Sequence, residues 1–170
     1  MIPKETFEFV TAIYALAERD ITRFEKTGDD DFSFAIPGVS RYRVSTFKQR
    51  GSYSAVIRVI SFTLPKPSDL HIPQAVMDLA NTNNGMVLVT GPAGSGKSTT
   101  LASIINKANE NLTDHIITLE DPIEYVHHHK KSVVNQREVG MDTLSYGNAL
   151  RAALREDPDI ILLGEMRDLE

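Results

Sequence analysis

The chain has 170 residues, 41% of them apolar, a formal charge of −5 and no cysteine, so it can bury a core, cannot form disulfides or a thiolate zinc site, and does not work on nucleic acid through overall basicity. No apolar run is long enough to cross a bilayer, and the start "MIPKETFEFV" has no basic region followed by an apolar block. The expectation is a soluble cytoplasmic protein with no nucleic-acid partner and no direct membrane insertion.

"TFEFVTAIYALAERDITRFEKTG" carries apolar residues at helical spacing and closes on Gly28, which predicts one or two helices. "DFSFAI", "RYRVSTF" and "SYSAVIRVI" alternate in part and are split by "PG" and "RG", as antiparallel strands would be. "SFTLPKPSDLHIP" is proline-rich and reads as a linker into a short helix, "PQAVMDLANTN", with proline in its first turn. From Met86 the texture changes to strand "MVLVT", a loop, helix "KSTTLASIINKANE", strand "HIITLE", a polar loop, helix "TLSYGNALRAALRE" and strand "DIILLG". Strands alternating with helices predict a parallel sheet covered by helices. The division expected is residues 1–66, a linker at 67–72, and an α/β domain over 73–170. Three parallel strands leave raw edges, and the sequence runs only six residues past Gly164. The expectation is therefore a domain cut short rather than a sheet closed against another chain.

"VLVTGPAGSGKSTTLASI", residues 87–104, fits G-x-x-x-x-G-K-[ST] through Gly91, Gly96, Lys97 and Ser98. A chance match anywhere in a chain this long arises about 0.6% of the time at average usage. The motif also sits between a predicted strand and helix, as its mechanism requires. Glycines let successive backbone N–H groups turn inward around an oxyanion, and the helix that starts there adds its positive end. Lys97 can reach the terminal phosphates of a nucleotide, and the Ser98 hydroxyl can ligate Mg²⁺, which prefers oxygen.

Nucleotide hydrolysis also needs carboxylates near the metal and the attacking water. "DIILLGEMRD" is an apolar strand ending in Gly-Glu, which puts Glu165 at the ligand crevice. "TLEDPIEY" places Glu120, Asp121 and Glu124 just beyond another strand, with Pro122 stopping it. Glu124 is the candidate to orient or deprotonate water, and Asp121 is its rival, also a possible metal ligand; spacing does not choose between them. His127, His128 and His129 are adjacent, so they cannot all face one ion, and an exposed loop is the expectation.

These residues carry a resemblance. "GPAGSGKSTTLASI", "ITLEDPIEYVH", "VNQREVG" and "ALRAALREDPDIILLGEMRDLE" resemble the PilT family, the type IV pilus retraction ATPases of the secretion ATPase superfamily. "FSFAIPGVSRYRVSTFKQRGSYSAVIRVI" is similar to the end of that family's PAS-like N-terminal domain. The resemblance implies a RecA-like P-loop ATPase fold preceded by part of a small α+β domain. It also implies a homohexameric ring in which ATP lies between the two domains and their closure does mechanical work. By position, Gly91, Pro92, Ala93, Gly94, Ser95, Gly96, Lys97 and Ser98 are the Walker A loop, with Thr99 beside it. Glu124 falls on the catalytic glutamate of the Asp box, and Glu165 on the Walker B glutamate that holds Mg²⁺, directly or through water. Arg41, Arg43 and Arg58 lie in the strands whose arginines the family brings to the phosphates. Arg41 and Arg43, two apart, share a face of any strand.

The implied partner outside the ring is the pilus platform protein of the inner membrane, which would hold the motor at that membrane's cytoplasmic face. The beginning of the family's N-terminal domain, its His box and its C-terminal helical domain have no counterpart here, so weak nucleotide binding and poor hydrolysis are expected of this chain by itself. The alternatives are an extension or type II secretion ATPase, a nucleotide-binding scaffold without turnover, and a small-molecule P-loop kinase.

Overall fold

In a computed structural model, residues 2–60 and 64–166 are described. The chain divides into two compact units, Met1–Ser61 and Phe62–Glu170.

The first unit begins with helix α1 (Pro3–Leu16) and the short helix α2 (Thr22–Thr27), followed by strands β1 (Asp29–Ile36), β2 (Ser40–Gln49) and β3 (Ser52–Ile60). Proline opens α1, and the Ile2 N–H ahead of it donates to the Glu5 carboxylate at 2.8 Å, satisfying one of the donors a helix start leaves over. Val10, Ile13 and Tyr14, at helical spacing, are the residues α1 buries. Gly28, left-handed at φ 88°, ends α2 by donating its N–H to the Phe24 carbonyl. The strands form an antiparallel meander in the order β1-β2-β3. Arg50 and Gly51, both at positive φ, make the tight β2–β3 turn, whose twist matches that of the strands. Phe24, Phe32 and Val44 complete the core with the α1 residues. Inside it, Asp30 is ion-paired through two bonds from Arg19 (2.8 and 3.0 Å) and receives the Tyr14 hydroxyl at 3.1 Å.

The second unit contains helix α3 (Gln74–Met77), a 3-10 turn (Asp78–Asn81), helix α4 (Lys97–Asn111), strands β4 (His115–Glu120) and β5 (Val133–Glu138), helix α5 (Tyr146–Ala153) and strand β6 (Ile160–Leu163). The sheet is parallel, in the order β5-β4-β6. Its central strand β4 is buried on both sides, from Ile116 through Leu119, as a parallel strand between helix layers must be. Successive side chains of β4 alternate faces. Ile116 packs with Ile105 and Ala108 of α4, while Ile117 and Leu119 pack with Ala149 and Ala153 of α5. The result is a helix–sheet–helix sandwich with α4 and α5 on opposite faces.

Two predicted elements change. Met86–Thr90, expected as a strand, has no strand assignment and pairs with no described strand; Met86 and Leu88 are exposed. Val133–Glu138, inside the stretch read as a polar loop, is a strand paired residue for residue with β4. The helix expected over "TLSYGNALRAALRE" is confined to Tyr146–Ala153, begun by the Ser145 hydroxyl accepting the Asn148 N–H at 3.2 Å. The proline-rich linker expected from Ser61 has its first three residues outside the described ones, as are Arg167 and Asp168 of "GEMRD".

Candidate nucleotide site

The glycine-rich loop leads directly into α4. Gly96 is left-handed at φ 88° immediately before Lys97, the first residue of the helix. Gly91 through Ser95 are exposed, so the loop's backbone and the helix start face outward, where an anion can reach them. At Gly91 a Cβ would stand 2.7 Å from the Ser95 hydroxyl, which would have to turn away to admit a side chain. Lys97 is folded back: its Nζ donates to the carbonyls of Gly91 (3.0 Å) and Pro92 (2.9 Å). A lysine held by two neutral carbonyls can exchange them for phosphate oxygens, which are stronger, charged acceptors.

Beside the loop lies a cleft of about 80 Å³, room for more than one water-sized group. Ser98 lines it from the first turn of α4, Glu120, Asp121 and Glu124 from the carboxyl end of β4, and Glu165 from beyond β6. Local structure explains the convergence. Strand β4 stops at Glu120, and the Asp121–Pro122 bond is cis. Strand β6 comes so close that a Cβ on Gly164 would lie 3.3 Å from the Glu120 Cα and Cγ. The chain then delivers Glu165 to the same crevice. Lys97, Gly91 and the exposed loop residues up to Ser95 are not among the residues lining this cleft.

Glu120 is the innermost of these acids. Burial pushes its carboxyl pKa up, against opposing hydrogen bonds from the Thr118 hydroxyl, the Gln136 side chain and the Glu124 N–H. These lie at 2.6, 3.2 and 3.4 Å. Thr118 and Glu120 are two apart on β4 and so share a face. That period-2 signal was present in the sequence, where Glu120 was seen in the acidic cluster but not chosen.

Tyr125 was also missed; its hydroxyl lies 3.1 Å from Thr99 Oγ1, linking the acidic segment to α4. His127, half-buried, has its pKa lowered to about 4 by burial, with Lys130 adding to the effect. The three histidines do separate things. The His127 ring lines the cleft, the His128 carbonyl accepts from the buried Asn109 side chain at 2.8 Å, and His129 Nδ1 accepts the Val134 N–H at 3.0 Å.

Among the described residues no three His, Asp or Glu side chains converge as a preformed metal cage. What the cleft offers is mostly oxygen, the Ser98 hydroxyl and several carboxylates among further hydroxyls, with His127 at its wall. That suits Mg²⁺, which keeps waters and shares phosphate oxygens instead of filling its shell from the protein.

Arg41, Arg43 and Arg58 belong to the first unit. Arg43 sits opposite Arg58 on β3 and opposite Ser33 on β1, and strand alternation puts Arg41 on that same face. The Arg41 guanidinium donates to the Ser33 hydroxyl at 3.0 Å. The three arginines therefore share the sheet face opposite α1.

Comparison with known proteins agrees with this architecture. The family model for type II/IV secretion system proteins matches residues 3–170. A twitching motility protein of Neisseria gonorrhoeae is 49% identical over 170 residues, all of this chain and 45% of that protein. The type IV pilus retraction ATPase PilT of Pseudomonas aeruginosa is 52% identical over 147 residues, 86% of this chain and 43% of that protein. The crystal structure of the pilus retraction motor PilT with bound ADP superposes with a TM-score of 0.87 at 53% identity, covering 92% of this chain and 46% of that one. The chain thus spans a little under half the length of these relatives. No described helix is long and apolar enough to cross a membrane. The chain belongs to the type II/IV secretion system protein family, and its similarity is to the PilT members of that family.

Proposed function

We propose that this chain is the nucleotide-handling part of an ATP-hydrolysing motor that retracts type IV pili. The observation that carries the reading is the meeting of Ser98 with Glu120, Asp121, Glu124 and Glu165 in one cleft beside the glycine-rich loop. The similarity to a twitching motility protein and to a retraction ATPase supports the direction of the work.

In this reading the backbone N–H groups of residues 91–98, Pro92 excepted, and the start of α4 bind the triphosphate. Lys97 leaves the Gly91 and Pro92 carbonyls for the β- and γ-phosphates. Ser98 and Glu165, the latter directly or through water, hold Mg²⁺, with Asp121 as a further ligand. Bound there, the ion supplies charge neutralisation across the phosphate oxygens. Glu124 orients the attacking water and accepts its proton. Arg41, Arg43 and Arg58 reach the γ-phosphate when the two units close, and that closure is the power stroke. An arginine completing a phosphoryl-transfer site is worth about 10³–10⁵ in rate, roughly 4–7 kcal/mol, so turnover and closure are tied together.

The working form is a cytoplasmic homohexamer acting on the pilus platform protein of the inner membrane. The test is ATP binding and phosphate release by the whole protein, with Lys97→Ala and Glu124→Gln. Lys97→Ala should lose binding, and Glu124→Gln should bind ATP without releasing phosphate. Wild-type turnover by Glu124→Gln would refute the assignment.

A further inference from the structure

The segment "VNQREVG" takes no part in the chemistry above, yet its strand reaches into the acidic loop. Gln136 and Glu138 are two apart on β5 and project to one side. Gln136 Oε1 accepts the His127 N–H at 2.6 Å, and its Nε2 donates to the Tyr125 carbonyl at 2.9 Å and to Glu120 Oε1 at 3.2 Å. Glu138, only 3% exposed, accepts the Ile123 N–H through Oε2 at 3.0 Å. Backbone bonds therefore hold the chain at 123, 125 and 127, on both sides of Glu124. The Glu124 N–H itself rests on Glu120 Oε2 at 3.4 Å, and Gln136 holds that same carboxylate by its other oxygen. Glu124 is exposed and lies in a segment with no helix or strand of its own. Nothing in the local secondary structure fixes it; β5 does.

We infer that Gln136 is a positioning residue for Glu124: with Glu138, it acts as a template on β5 that holds the 123–127 segment so that the Glu124 carboxylate faces the cleft. The inference rests on the proposed role of Glu124 for its kinetic consequence, but not for its structural one. An amide suits the position because it donates and accepts at once. A carboxylate could take the His127 N–H but would turn an acceptor toward the Tyr125 carbonyl and Glu120. An apolar side chain of the same size would do neither.

The test compares Gln136→Leu and Gln136→Glu with wild type at pH 8, using steady-state ATPase of the whole protein and hydrogen exchange of its backbone amides. Misplacing a reacting group by about 1 Å can cost a hundredfold. Both variants should therefore lose roughly ten- to hundredfold in kcat, with KM for ATP within about twofold, because the phosphate loop is untouched. Exchange should quicken at Ile123, Glu124 and His127 and stay slow through β4 and α4. If Gln136 merely fills space, the near-isosteric Gln136→Glu keeps its kcat, which overturns the inference. So does a rise in KM without a fall in kcat, or loss of protection spread through β4 and α4. Should the wild-type protein release no phosphate, the motor reading fails, and exchange at 123–127 alone decides the template: unchanged rates reject it, faster rates confined to that segment uphold it.

Discussion

Glu120 and Gly164 pack against each other across the tips of two parallel strands, leaving an added carbon a few tenths of an ångström short of ordinary contact. The Gly164 N–H donates to the Leu119 carbonyl at 2.8 Å, and a Cβ would meet Glu120 at 3.3 Å and that carbonyl at 3.4 Å. This contact sets the distance between the acid cluster after β4 and Glu165 after β6. Gly164 has no left-handed backbone to defend, so the cost of a side chain there is steric alone.

Gly164→Ala should push the strand tips apart by a few tenths of an ångström. The expected outcome is a loss of about 1–3 kcal/mol in stability, the usual cost of overpacking, with a fall in ATP turnover larger than that loss explains. Urea unfolding beside phosphate-release kinetics checks it. An alanine variant with unchanged turnover would mean that this contact does not set the site.

Stability should depend on pH through His127. Its folded pKa, about 4, lies below the roughly 6.5 of an unfolded histidine. Between those values the unfolded chain binds the extra proton, so stability falls as pH drops from about 6.5 toward 4 and is intact above that window. From pH 7 to pH 5 this amounts to about 1–2 kcal/mol, after allowing for the solvent that reaches a half-buried ring. His127→Gln should flatten that part of the urea-midpoint profile; an unaltered slope would show that the ring is not held neutral.

In the first unit, Asp30 has no exposed side-chain surface, whereas Arg19 keeps 28% of its own. The carboxylate holds Arg19 and the Tyr14 hydroxyl, and Tyr14 is pushed up to about 12, mainly by burial. Removing one partner of a buried pair costs about 3–5 kcal/mol, and the partial exposure of Arg19 argues for the lower end. Asp30→Ala should therefore unfold the first unit at distinctly lower denaturant while amide exchange in β4 and α4 stays slow. Unchanged protection of α1 and β2 would contradict it.

What could be read in advance follows from how local each signal is. The glycine-rich loop is one contiguous motif, so Gly91 to Ser98 could be singled out from sequence. Glu124 and Glu165 follow strand ends, and a parallel sheet brings such ends together. The strand at Val133–Glu138 stayed hidden because only Val134 and Glu138 within it are buried, leaving no apolar run to see. Met86–Thr90 gave the opposite error: it has the composition of a buried strand, but a strand exists only with a ladder partner, and among the described residues none lies alongside. Gln136 could not have been placed, because its bonds join residues 9 to 16 positions apart and depend on β5 pairing in a register the sequence does not display. The expected linker at 67–72 rests on the proline-rich composition of that stretch; the two compact units are Met1–Ser61 and Phe62–Glu170.

The central claim is that the cleft of Ser98, Glu124 and Glu165 hydrolyses a nucleotide gripped by the glycine-rich loop. The most direct measurement is ATP binding and single-turnover phosphate release by Glu124→Gln in the whole protein with Mg²⁺ present. The account predicts binding within a few-fold of wild type and release slowed by at least about a hundredfold, the lower end of the effect of losing a positioned general base. Release at the wild-type rate, or loss of binding with the loop intact, would contradict it.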